Sequence, residues 1–494
     1  MASPKDTEKY ARLIDDMVDL VVHRFDGALK SEHGTGRNMA PFVQTEWGTE
    51  AVELMRRLKS AVDPDGLLNP DVILTSKPKL HLENIKDLPV VEDVVDKCVE
   101  CGACEPRCPS RDFTLSPRQR IVLRRARQRL IAQGRSELAK QLDIDYEFAG
   151  KQSCATDGLC AMDCPVAINT GELIKQLRRE TVTPGAKKVA AQLASSFGIA
   201  ERAVGVSLSL GRTAASIIGG NALAGLTRGL SSVFAGFPHW HQGLEGQNES
   251  IDKSMLVPIE QCDFVYWPTC MSRMMHGSSA ALVSVAHRAK VRLHIPKDAL
   301  GRCCGQAFSS KGFLESALSK QAELIDAMWI WSDRGARPIV MDLGSCTAFI
   351  SQGLSDLDQV RREQLQKITI LDSSVFAETL LPKLTIKRRK GVVAIHSVCS
   401  NQKFGWGDAM VKVAGACSDK VLQPHEGKCC GMGGDRGFEL PGLVQSATKD
   451  VGPLMQQSDC QEGYTNARSC ALSLSTGSGK SWRSLFHLLK DCTD

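Results

Sequence analysis

Residues 98–109 read CVECGACEPRCP, and this stretch indicates both the fold and the chemistry of the chain around it. Its cysteines follow the spacing C-x2-C-x2-C-x3-C-P, which is the ligand pattern of bacterial iron–sulfur clusters. Thiolate sulfurs are soft donors that hold such clusters against harder competitors, and Gly102 permits the tight turn between ligands. The predicted ligands in this run are Cys98, Cys101, Cys104 and Cys108.

A second run further along the chain repeats the pattern with one change. Cys154, Cys160 and Cys164-Pro165 keep the register, and Asp157 stands where the second cysteine is expected. The proline after the last cysteine of both runs favours iron over zinc. Two zinc sites, which also take four cysteine ligands, remain the alternative.

The two runs are expected to share ligands, because the cysteine before proline usually reaches the other cluster in two-cluster ferredoxins. One [4Fe-4S] cluster is predicted on Cys98, Cys101, Cys104 and Cys164. A second cluster is predicted on Cys108, Cys154 and Cys160, with Asp157 at its fourth corner. A carboxylate is a harder ligand than a thiolate, so this cluster is expected to be [3Fe-4S] or a labile, Asp-ligated [4Fe-4S] cluster. The alternative for Asp157 is a solvated turn residue beside a three-cysteine cluster.

Composition narrows the class of protein. The 494 residues suffice for roughly three domains of about 150 residues, and a net charge of +5 does not indicate nucleic acid. The first residues are polar and charged, and no run of about eighteen apolar residues predicts a membrane-spanning helix. In such a chain the 19 cysteines indicate metal ligands rather than disulfides. We therefore expect a cytoplasmic protein, or one that is peripheral on the inner membrane.

The chain repeats itself after residue 260. Apolar runs lead to single cysteines, and each half contains a Cys-Cys-Gly triplet; matching cysteines are offset by 129, 126 and 124 residues, which indicates a duplication. Strand-like and helical runs alternate in each half, so two α/β units are predicted, with cysteines at the carboxyl ends of strands. The two predicted sites, in which adjacent thiolates can bridge a multinuclear cluster, are Cys270, Cys303, Cys304 and Cys346, and Cys399, Cys429, Cys430 and Cys470. His396 is interpreted as a polar residue at a strand end, with a ligand role as the alternative.

These motifs resemble the iron–sulfur half of the FAD-linked D-2-hydroxyacid dehydrogenases, which include respiratory D-lactate dehydrogenases and the glycolate oxidase iron–sulfur subunit. The likeness covers residues ~90–475, and the Cys-Cys-Gly repeats also resemble those of heterodisulfide reductases. In relatives these repeats can bind further iron–sulfur centres, and each often ends in C-x2-C. Here Phe349 and Ser473 stand where those last cysteines are expected. Because of this departure, the alternative is that one half is degenerate and only structural, and that the other half is active.

The first 75 residues resemble the C-terminal tail of an FAD-linked oxidase. The loop Glu32-His33-Gly34 resembles that family's Glu-His-Gly loop, which implies that Glu32 ligates a divalent metal and that His33 is the base acting on the 2-hydroxyacid. The run from Asp63 to Pro70 resembles the family's closing motif, which implies that Asn69 lies near the flavin. The FAD-binding domain and the upstream histidines of the metal site are absent. FAD is therefore expected to come from an FAD-binding subunit or from an N-terminal half of a longer enzyme.

The predicted fold class is α/β plus α, in five parts. They are a remnant of the FAD-linked oxidase C-terminal domain (1–75), an α-helical two-cluster ferredoxin-like domain (90–184), a helical connector (185–255), a first Cys-Cys-Gly domain (256–384) and a second (385–494). The Gly- and Ala-rich part of the connector is a candidate for peripheral membrane contact. The arginine-rich helix at 118–129 is interpreted as a solvated face, with docking to a partner or an anionic membrane as the alternative.

The resemblance implies an electron-transfer component that drains a flavin and passes electrons to quinone or cytochrome. The alternative is a heterodisulfide-reductase-like thiol redox protein without a hydroxyacid site, and the tail from Glu32 to Asn69 argues against it. A zinc-rich scaffold is a third interpretation, which would lack the visible absorption of iron–sulfur clusters.

Overall fold

The structure is a computed structural model that describes residues 4–30, 34–86, 88–233, 240–241, 250–275 and 278–493. The chain divides into two compact units, the first made of residues 1–91 with 128–134 and the second of residues 92–127 with 135–494. The architecture is mixed α/β and mostly helical. Short 3-10 and π-helical turns lie at Leu20–Arg24, Ala40–Phe42, Leu80–Leu82, Glu147–Gln152, Leu159–Ala161, Lys253–Met255, Ile259–Gln261 and Leu381–Lys383.

The first unit is built on the helices α1 (Pro4–Asp19) and α2 (Val43–Val62). After α2, the buried carboxylate of Asp63 accepts hydrogen bonds from the backbone N–H groups of Leu67 and Leu68, both at 2.9 Å. An aspartate that accepts hydrogen bonds from nearby backbone N–H groups stabilises a turn that belongs to no helix or strand. This turn leads directly to Asn69.

The second unit begins with helices that surround the two cysteine runs and continue into a connector. These helices are α3 (Asp93–Asp96), α4 (Pro117–Ala132), α5 (Ser136–Tyr146), α6 (Thr170–Thr181), α7 (Pro184–Ser195), α8 (Phe197–Ile218) and α9 (Gly220–Val233). Asn169 caps α6 by accepting from the N–H of Gly171 at 2.9 Å, as short polar side chains do at helix starts. None of the helices in the described residues combines the length and the apolar character that a membrane crossing needs.

Each half of the cysteine-rich region contains a four-stranded, all-parallel sheet. The strands are β1 (Phe264–Trp267), β2 (Leu293–His294), β3 (Ile339–Met341), β4 (Ile370–Asp372), β5 (Lys390–His396), β6 (Ser418–Leu422), β7 (Glu462–Thr465) and β8 (Ser481–Ser484). The first sheet has the order β2-β1-β3-β4 and the second the order β6-β5-β7-β8. The two sheets therefore share one topology, in which the first and third strands of each half lie in the middle.

Helices flank both sheets. In the first half they are α10 (Cys270–Met275), α11 (Ser278–Arg288), α12 (Gln306–Ser310), α13 (Leu314–Trp331), α14 (Gly344–Gln352), α15 (Gln359–Lys367) and α16 (Ser373–Leu380). In the second half they are α17 (Cys399–Phe404), α18 (Gly407–Cys417), α19 (Arg436–Glu439), α20 (Pro441–Thr448), α21 (Val451–Gln457), α22 (Arg468–Ser478) and α23 (Leu485–Thr493). Single buried clusters combine residues of both halves, such as Met328 and Ile339 with Leu474 and Trp482. The two halves thus share their cores.

A buried carboxylate joins the two halves at the carboxyl ends of their strands. Asp372, at the end of β4, is 1% exposed and accepts from the side-chain amides of Asn401 at 3.1 Å and Asn466 at 3.0 Å. It also accepts from the N–H of Ser374 at 2.9 Å. Burial raises the pKa of Asp372, and these hydrogen bonds act in the opposite direction. The approach of the halves is close here, because a Cβ on Gly344 would lie 2.3 Å from the Asn401 amide oxygen.

We predict that Asp372→Ala destabilises the second unit by about 3 kcal/mol, because buried donors lose a charged acceptor that holds them together. The midpoint of urea unfolding, followed by near-UV circular dichroism, measures the loss. Asp356→Ala, at an exposed aspartate, is the control and should shift the free energy of unfolding by less than about 0.5 kcal/mol. Equal shifts for the two variants would contradict the role given to Asp372.

Candidate metal centres

The cysteines of the two runs lie in two groups in the structure. In the first group, Cys98 lies close enough to Cys104 and Cys164 for their charges to influence one another. Burial is the main cause that raises the pKa of Cys104 to about 11. Cys101, the remaining predicted ligand of this cluster, is exposed. The last cysteine of the second run thus lies with the first cysteine of the first run.

The second group contains Cys108, Cys154, Cys160 and Asp157. Burial raises the pKa values of Cys108 and Cys160, and the nearby Asp157 carboxylate adds to the effect. The Asp157 carboxylate accepts from the N–H of Leu159 at 2.8 Å, so it is held in place rather than free in solvent. Seven of the eight residues that the two motifs predict lie in these groups, and the eighth, Cys101, is exposed.

Backbone geometry around the first cysteine of each run is the same. The N–H of Glu100 points at the Cys98 sulfur at 3.4 Å, and the N–H of Thr156 points at the Cys154 sulfur at 3.4 Å. Both donors have positive φ, +60° and +50°, which is uncommon for residues other than glycine. Strained backbone that persists at such a place is typical of functional sites. Here it aims amide dipoles at sulfur, which favours the thiolate form.

Buried arginines hold both runs. Arg125 in α4 donates to the Cys98 carbonyl at 2.9 Å, and Arg178 in α6 donates to the Cys154 carbonyl at 3.0 Å. Arg125 is 1% exposed and also pairs with the buried Glu100 at 2.8 Å. Arg120, likewise 1% exposed, donates to the Gly150 carbonyl at 2.7 Å. The interpretation of the arginine-rich helix as a solvated face is therefore wrong for Arg120 and Arg125.

A sequence signal for this burial exists. Arg120 and Arg125 share the buried face of α4 with Pro117 and Ile121, at the spacing of three to four residues that marks one side of a helix. The abundance of arginine on the rest of the helix hides that signal. Two arginine side chains of α4 thus point inward beside the cysteines. They donate hydrogen bonds to backbone carbonyls, and one of them neutralises a carboxylate.

Asp157 also lies against the second half of the cysteine-rich region. Burial raises the pKa of Asp157, and its carboxylate lies close enough to the Cys429 thiol and the Lys403 ammonium for both to act in the opposite direction. The Asp157 charge in turn raises the pKa values of the buried thiols of Cys399 and Cys429. Asp157 is therefore placed between the second group of the dicluster segment and the second cysteine-rich site.

Further contacts fix this arrangement. Arg107 donates to the carbonyl of Gly427 at 3.0 Å, and Ser446 donates to the carbonyl of Pro109 at 2.7 Å. Lys449 forms an ion pair with Asp112 at 2.8 Å. The three contacts join residues 107–112, at the end of the first cysteine run and just after it, to Gly427 and to Ser446 and Lys449 at the C-terminal end of α20. The dicluster segment thus packs against the second half at its cysteines.

The first Cys-Cys-Gly site gathers four buried or half-buried thiols in a chain. Cys270 begins α10 directly after β1, and Cys346 lies in the first turn of α14 after β3. Cys270, Cys303 and Cys304 lie close enough for their thiols to influence one another's pKa, and the sulfurs of Cys304 and Cys346 are 3.2 Å apart. These are the four residues that the repeat predicted together.

The second site has the same construction. Cys399 begins α17 and Cys470 lies in the first turn of α22. Cys399, Cys429 and Cys430 lie close enough for their thiols to influence one another's pKa, and the sulfurs of Cys430 and Cys470 are 3.1 Å apart. His396 adds an imidazole to this site, with a ring nitrogen within 4.8 Å of the sulfurs of Cys430 and Cys470.

The glycine of each triplet is required by close packing. Gly305 has φ +90° and a Cβ there would lie 2.5 Å from the carbonyl oxygen of Ala317. Gly431 has φ +80° and a Cβ there would lie 2.7 Å from the carbonyl oxygen of Leu443. In both triplets the glycine N–H points at the first cysteine sulfur at 3.4 Å. The turn therefore presents two adjacent thiols from one rigid backbone.

The donor sets fit iron–sulfur chemistry. Four thiols converge in each Cys-Cys-Gly site, and the glycine N–H of each triplet points at the first sulfur of that triplet. Thiolates of this kind suit iron–sulfur clusters. By contrast, Cys262, Cys417, Cys460 and Cys492 lie outside the four groups and are buried among apolar side chains.

Three residues are predicted to serve the hydroxyacid and flavin chemistry: Glu32, His33 and Asn69. Glu32 and His33 lie outside the described residues, so their roles stay predictions. Asn69 is exposed and has φ +44°, at the end of the turn that Asp63 fixes.

Comparison with known families agrees with this division of the chain. Residues 1–73 match the family model "FAD linked oxidases, C-terminal domain", residues 94–168 match "4Fe-4S dicluster domain", and residues 264–351 match "Cysteine-rich domain". The chain combines an FAD-linked oxidase C-terminal domain with iron–sulfur domains. The dicluster match contains both cysteine runs, and the cysteine-rich match contains the first Cys-Cys-Gly site.

Similar curated proteins are flavoenzymes. A D-lactate dehydrogenase [cytochrome] of Saccharomyces cerevisiae is 34% identical over 76 residues, which cover 15% of this chain and 13% of the relative. An uncharacterised FAD-linked oxidoreductase of Mycobacterium tuberculosis is 38% identical over 69 residues, 14% of this chain and 15% of the relative. A D-lactate dehydrogenase [cytochrome] of Arabidopsis thaliana is 30% identical over 71 residues, 14% of this chain and 12% of the relative. The chain thus spans less than a sixth of the length of these relatives.

We predict that Arg125→Met destabilises the dicluster segment by about 3–5 kcal/mol, because Glu100 becomes a buried carboxylate without its cationic partner. The loss should appear as a lower urea midpoint and as a lower iron content of anaerobically purified protein. Adding Glu100→Gln should recover part of the loss, since the unpaired charge is then removed.

Arg118→Met is the matched control on the same helix. Arg118 pairs with Glu105 at 2.9 Å and is 36% exposed, so its loss should cost less than about 1 kcal/mol. An Arg125→Met protein with the iron content and stability of the control would contradict a supporting role for the buried arginine.

Proposed function

We propose that this chain is the iron–sulfur electron-transfer component of a flavin-dependent D-2-hydroxyacid dehydrogenase, with D-lactate or glycolate as substrate. The observation that carries the proposal is an FAD-linked oxidase C-terminal domain joined to a 4Fe-4S dicluster domain in one chain. Oxidising a 2-hydroxyacid to a 2-oxoacid releases two electrons and two protons. A flavin supplies that two-electron step when bound, and iron–sulfur centres then carry the electrons singly.

The first 75 residues would serve the flavin side of the reaction. We propose His33 as the base that takes the hydroxyl proton, Glu32 as a ligand of a divalent metal that polarises the hydroxyl oxygen, and Asn69 as a residue near the flavin. The FAD-binding domain would be a partner subunit or another part of the same enzyme. The exposed, turn-fixed position of Asn69 supports such a contact surface.

Within the second unit we propose an order for the centres. Electrons would pass from the group around Cys98 to the group around Cys108, and then to the second Cys-Cys-Gly site. The contact of Asp157 with Cys429 supports this last step, because it leaves little space between the two groups of thiols. The shared strand order of the two sheets supports a duplication of the Cys-Cys-Gly unit.

The electrons would leave to a quinone or a cytochrome. We propose a peripheral membrane contact through α8, on which Ile199, Leu210 and Ile217 are exposed by 72%, 66% and 77%. Exposed apolar residues on one helix are typical of interfacial helices.

A second function, that of a heterodisulfide-reductase-like thiol redox protein, is favoured by one observation. Both Cys-Cys-Gly sites bring four thiols into mutual contact, an arrangement that also suits thiol–disulfide chemistry. That function has no need of an FAD-linked oxidase domain at residues 1–73.

We predict that the protein, purified anaerobically from its native cells, carries iron, sulfide and stoichiometric flavin, and that D-lactate or glycolate bleaches the cluster absorption. Cys154→Ser should weaken the bleaching because it removes a thiolate from the second group. Cys262→Ser, at a buried cysteine outside the four groups, is the control and should bleach normally. A flavin-free complex that is inert to every 2-hydroxyacid tried would contradict the proposal.

A second prediction concerns the nuclearity of the cluster beside Asp157. Air-exposed wild-type protein should show a three-iron EPR signal, because a carboxylate corner releases its iron readily. Asp157→Cys should abolish that signal and retain about one more iron per chain. Asp157→Ser, which supplies no thiolate, should keep the three-iron signal. Ordinary [4Fe-4S] signals alone in the wild type, under every condition, would refute the asymmetry.

A further inference from the structure

His396 is a buried histidine whose ring has no conventional partner. It ends β5, is 1% exposed, and neither ring nitrogen makes a hydrogen bond to nitrogen or oxygen among the described residues. Buried polar side-chain atoms are normally satisfied, so each exception calls for an explanation. The imidazole lies instead beside two sulfurs, with one nitrogen within 4.8 Å of both Cys430 and Cys470. Neutral imidazole and thiolate are both common ligands of iron and zinc.

Other buried side-chain atoms of the second half are also unpaired. They lie between β5 and α17, on α17 and around the end of β7, in the segments that carry Cys399 and Cys470. In the described residues they are Ser397 Oγ, Ser400 Oγ, Asn401 Oδ1, Gln402 Oε1, Thr465 Oγ1 and Asn466 Oδ1. In the first half, the corresponding set consists of Trp267 Nε1 and Gln364 Oε1. The second half thus leaves more buried polar atoms unpaired than the first, and each of them calls for an explanation.

The two halves differ at the position of the histidine itself. Cys270 and Cys399 are equivalent residues, each beginning a helix after the first strand of its half. Three residues earlier, the first half has Trp267 and the second has His396. Trp267 cannot ligate a metal, because the indole nitrogen is only a donor. The two halves therefore differ in one potential metal-ligating atom, a ring nitrogen of His396, beside the cysteine sulfurs.

We propose that His396 is a nitrogen ligand of a metal centre in the second Cys-Cys-Gly site, beside Cys430 and Cys470. The inference rests on the proposed function insofar as the centre is an iron–sulfur cluster. Histidine would supply a donor where Ser473 has replaced the last cysteine of the family pattern. Ser473 is buried and donates to the carbonyl of Cys430, so it supports the backbone of the site.

Ligation by imidazole has a consequence for electron flow. A neutral nitrogen ligand removes one negative charge relative to a thiolate, and histidine ligation raises the reduction potential of iron–sulfur centres. The second site would then be the electron acceptor for the cluster beside Asp157. The first site, with tryptophan at the same position, would have an all-thiolate donor set.

The test uses the full-length protein, purified anaerobically, with ¹⁴N pulsed EPR as the readout. Wild-type protein should show coupling of one imidazole nitrogen to a reduced cluster, and labelling with ¹⁵N-histidine should change it. His396→Ala should abolish the coupling. His396→Cys should retain iron, abolish the coupling and lower the midpoint potential of that signal, which a purely structural role would not do.

His81→Ala is the matched control. His81 is also buried, and neither of its ring nitrogens has a hydrogen-bond partner in the described residues, but it packs on Phe42 in the first unit. This variant should leave the nitrogen coupling intact. Coupling that persists in His396→Ala, or a wild-type protein that holds iron in the second site and shows no imidazole coupling, would overturn the proposal.

X-ray absorption separates this outcome from failure of the proposed function. Zinc with one nitrogen and three sulfur neighbours in the wild type, and without the nitrogen neighbour in His396→Ala, would uphold the role of His396 as a ligand. The same result would overturn the redox role of the site. Iron with sulfur neighbours only would uphold the redox role and overturn the ligand.

Discussion

The buried carboxylate of Asp372 is the interaction on which the arrangement of the cysteine-rich region depends. It ends a strand of the first sheet and accepts from Asn401 and Asn466, which follow strands of the second. The helices α17 and α22, which follow those two strands of the second sheet, carry Cys399 and Cys470 of the second site. A charged acceptor shared between neutral amides is stronger than the same bonds between neutral groups. The relative position of the two sheets, and hence of the two sites, is therefore coupled to one side chain.

The dicluster segment adds a second constraint, because in the described residues its second cysteine group reaches the second site through Asp157. Arg107 donates to Gly427, Ser446 of α20 donates to Pro109, and Asp157 lies near Cys429. In the first half, Arg178 donates to the carbonyl of Ser310 at 2.7 Å, which is a backbone contact away from the triplet. The cysteine-rich region thus presents two similar sites to the dicluster segment in different ways. Similarity of the donor sets does not imply equivalence in electron transfer.

Much of the site was predictable from sequence because ligand spacing is a local property. Three cysteines at two-residue spacing can only surround one small volume, and a repeat with a near-constant offset indicates two similar units. The parallel sheets with cysteines at strand ends likewise follow from alternating apolar and helical runs. The sequence predicts a solvated arginine-rich helix because a charged helix normally faces solvent. Only the tertiary fold shows that Arg120 and Arg125 of α4 turn inward. Strand order and the contact of Asp157 with Cys429 depend on packing between distant segments, which periodicity does not encode.

The difference between the two halves follows from the same reasoning. A tryptophan beside the first site fills its space with apolar volume and makes a cation–π contact with Arg273, 5.7 Å from the ring centroid. Arg273 in turn pairs with the buried Glu201 of α8. In the described residues, the first half leaves Trp267 Nε1 and Gln364 Oε1 unpaired, whereas the second half leaves His396 and several amide and hydroxyl oxygens unpaired. Unpaired buried polar groups reduce stability, and proteins retain them where they serve a site. The proposed nitrogen ligand thus falls in the half that leaves more buried polar atoms unpaired.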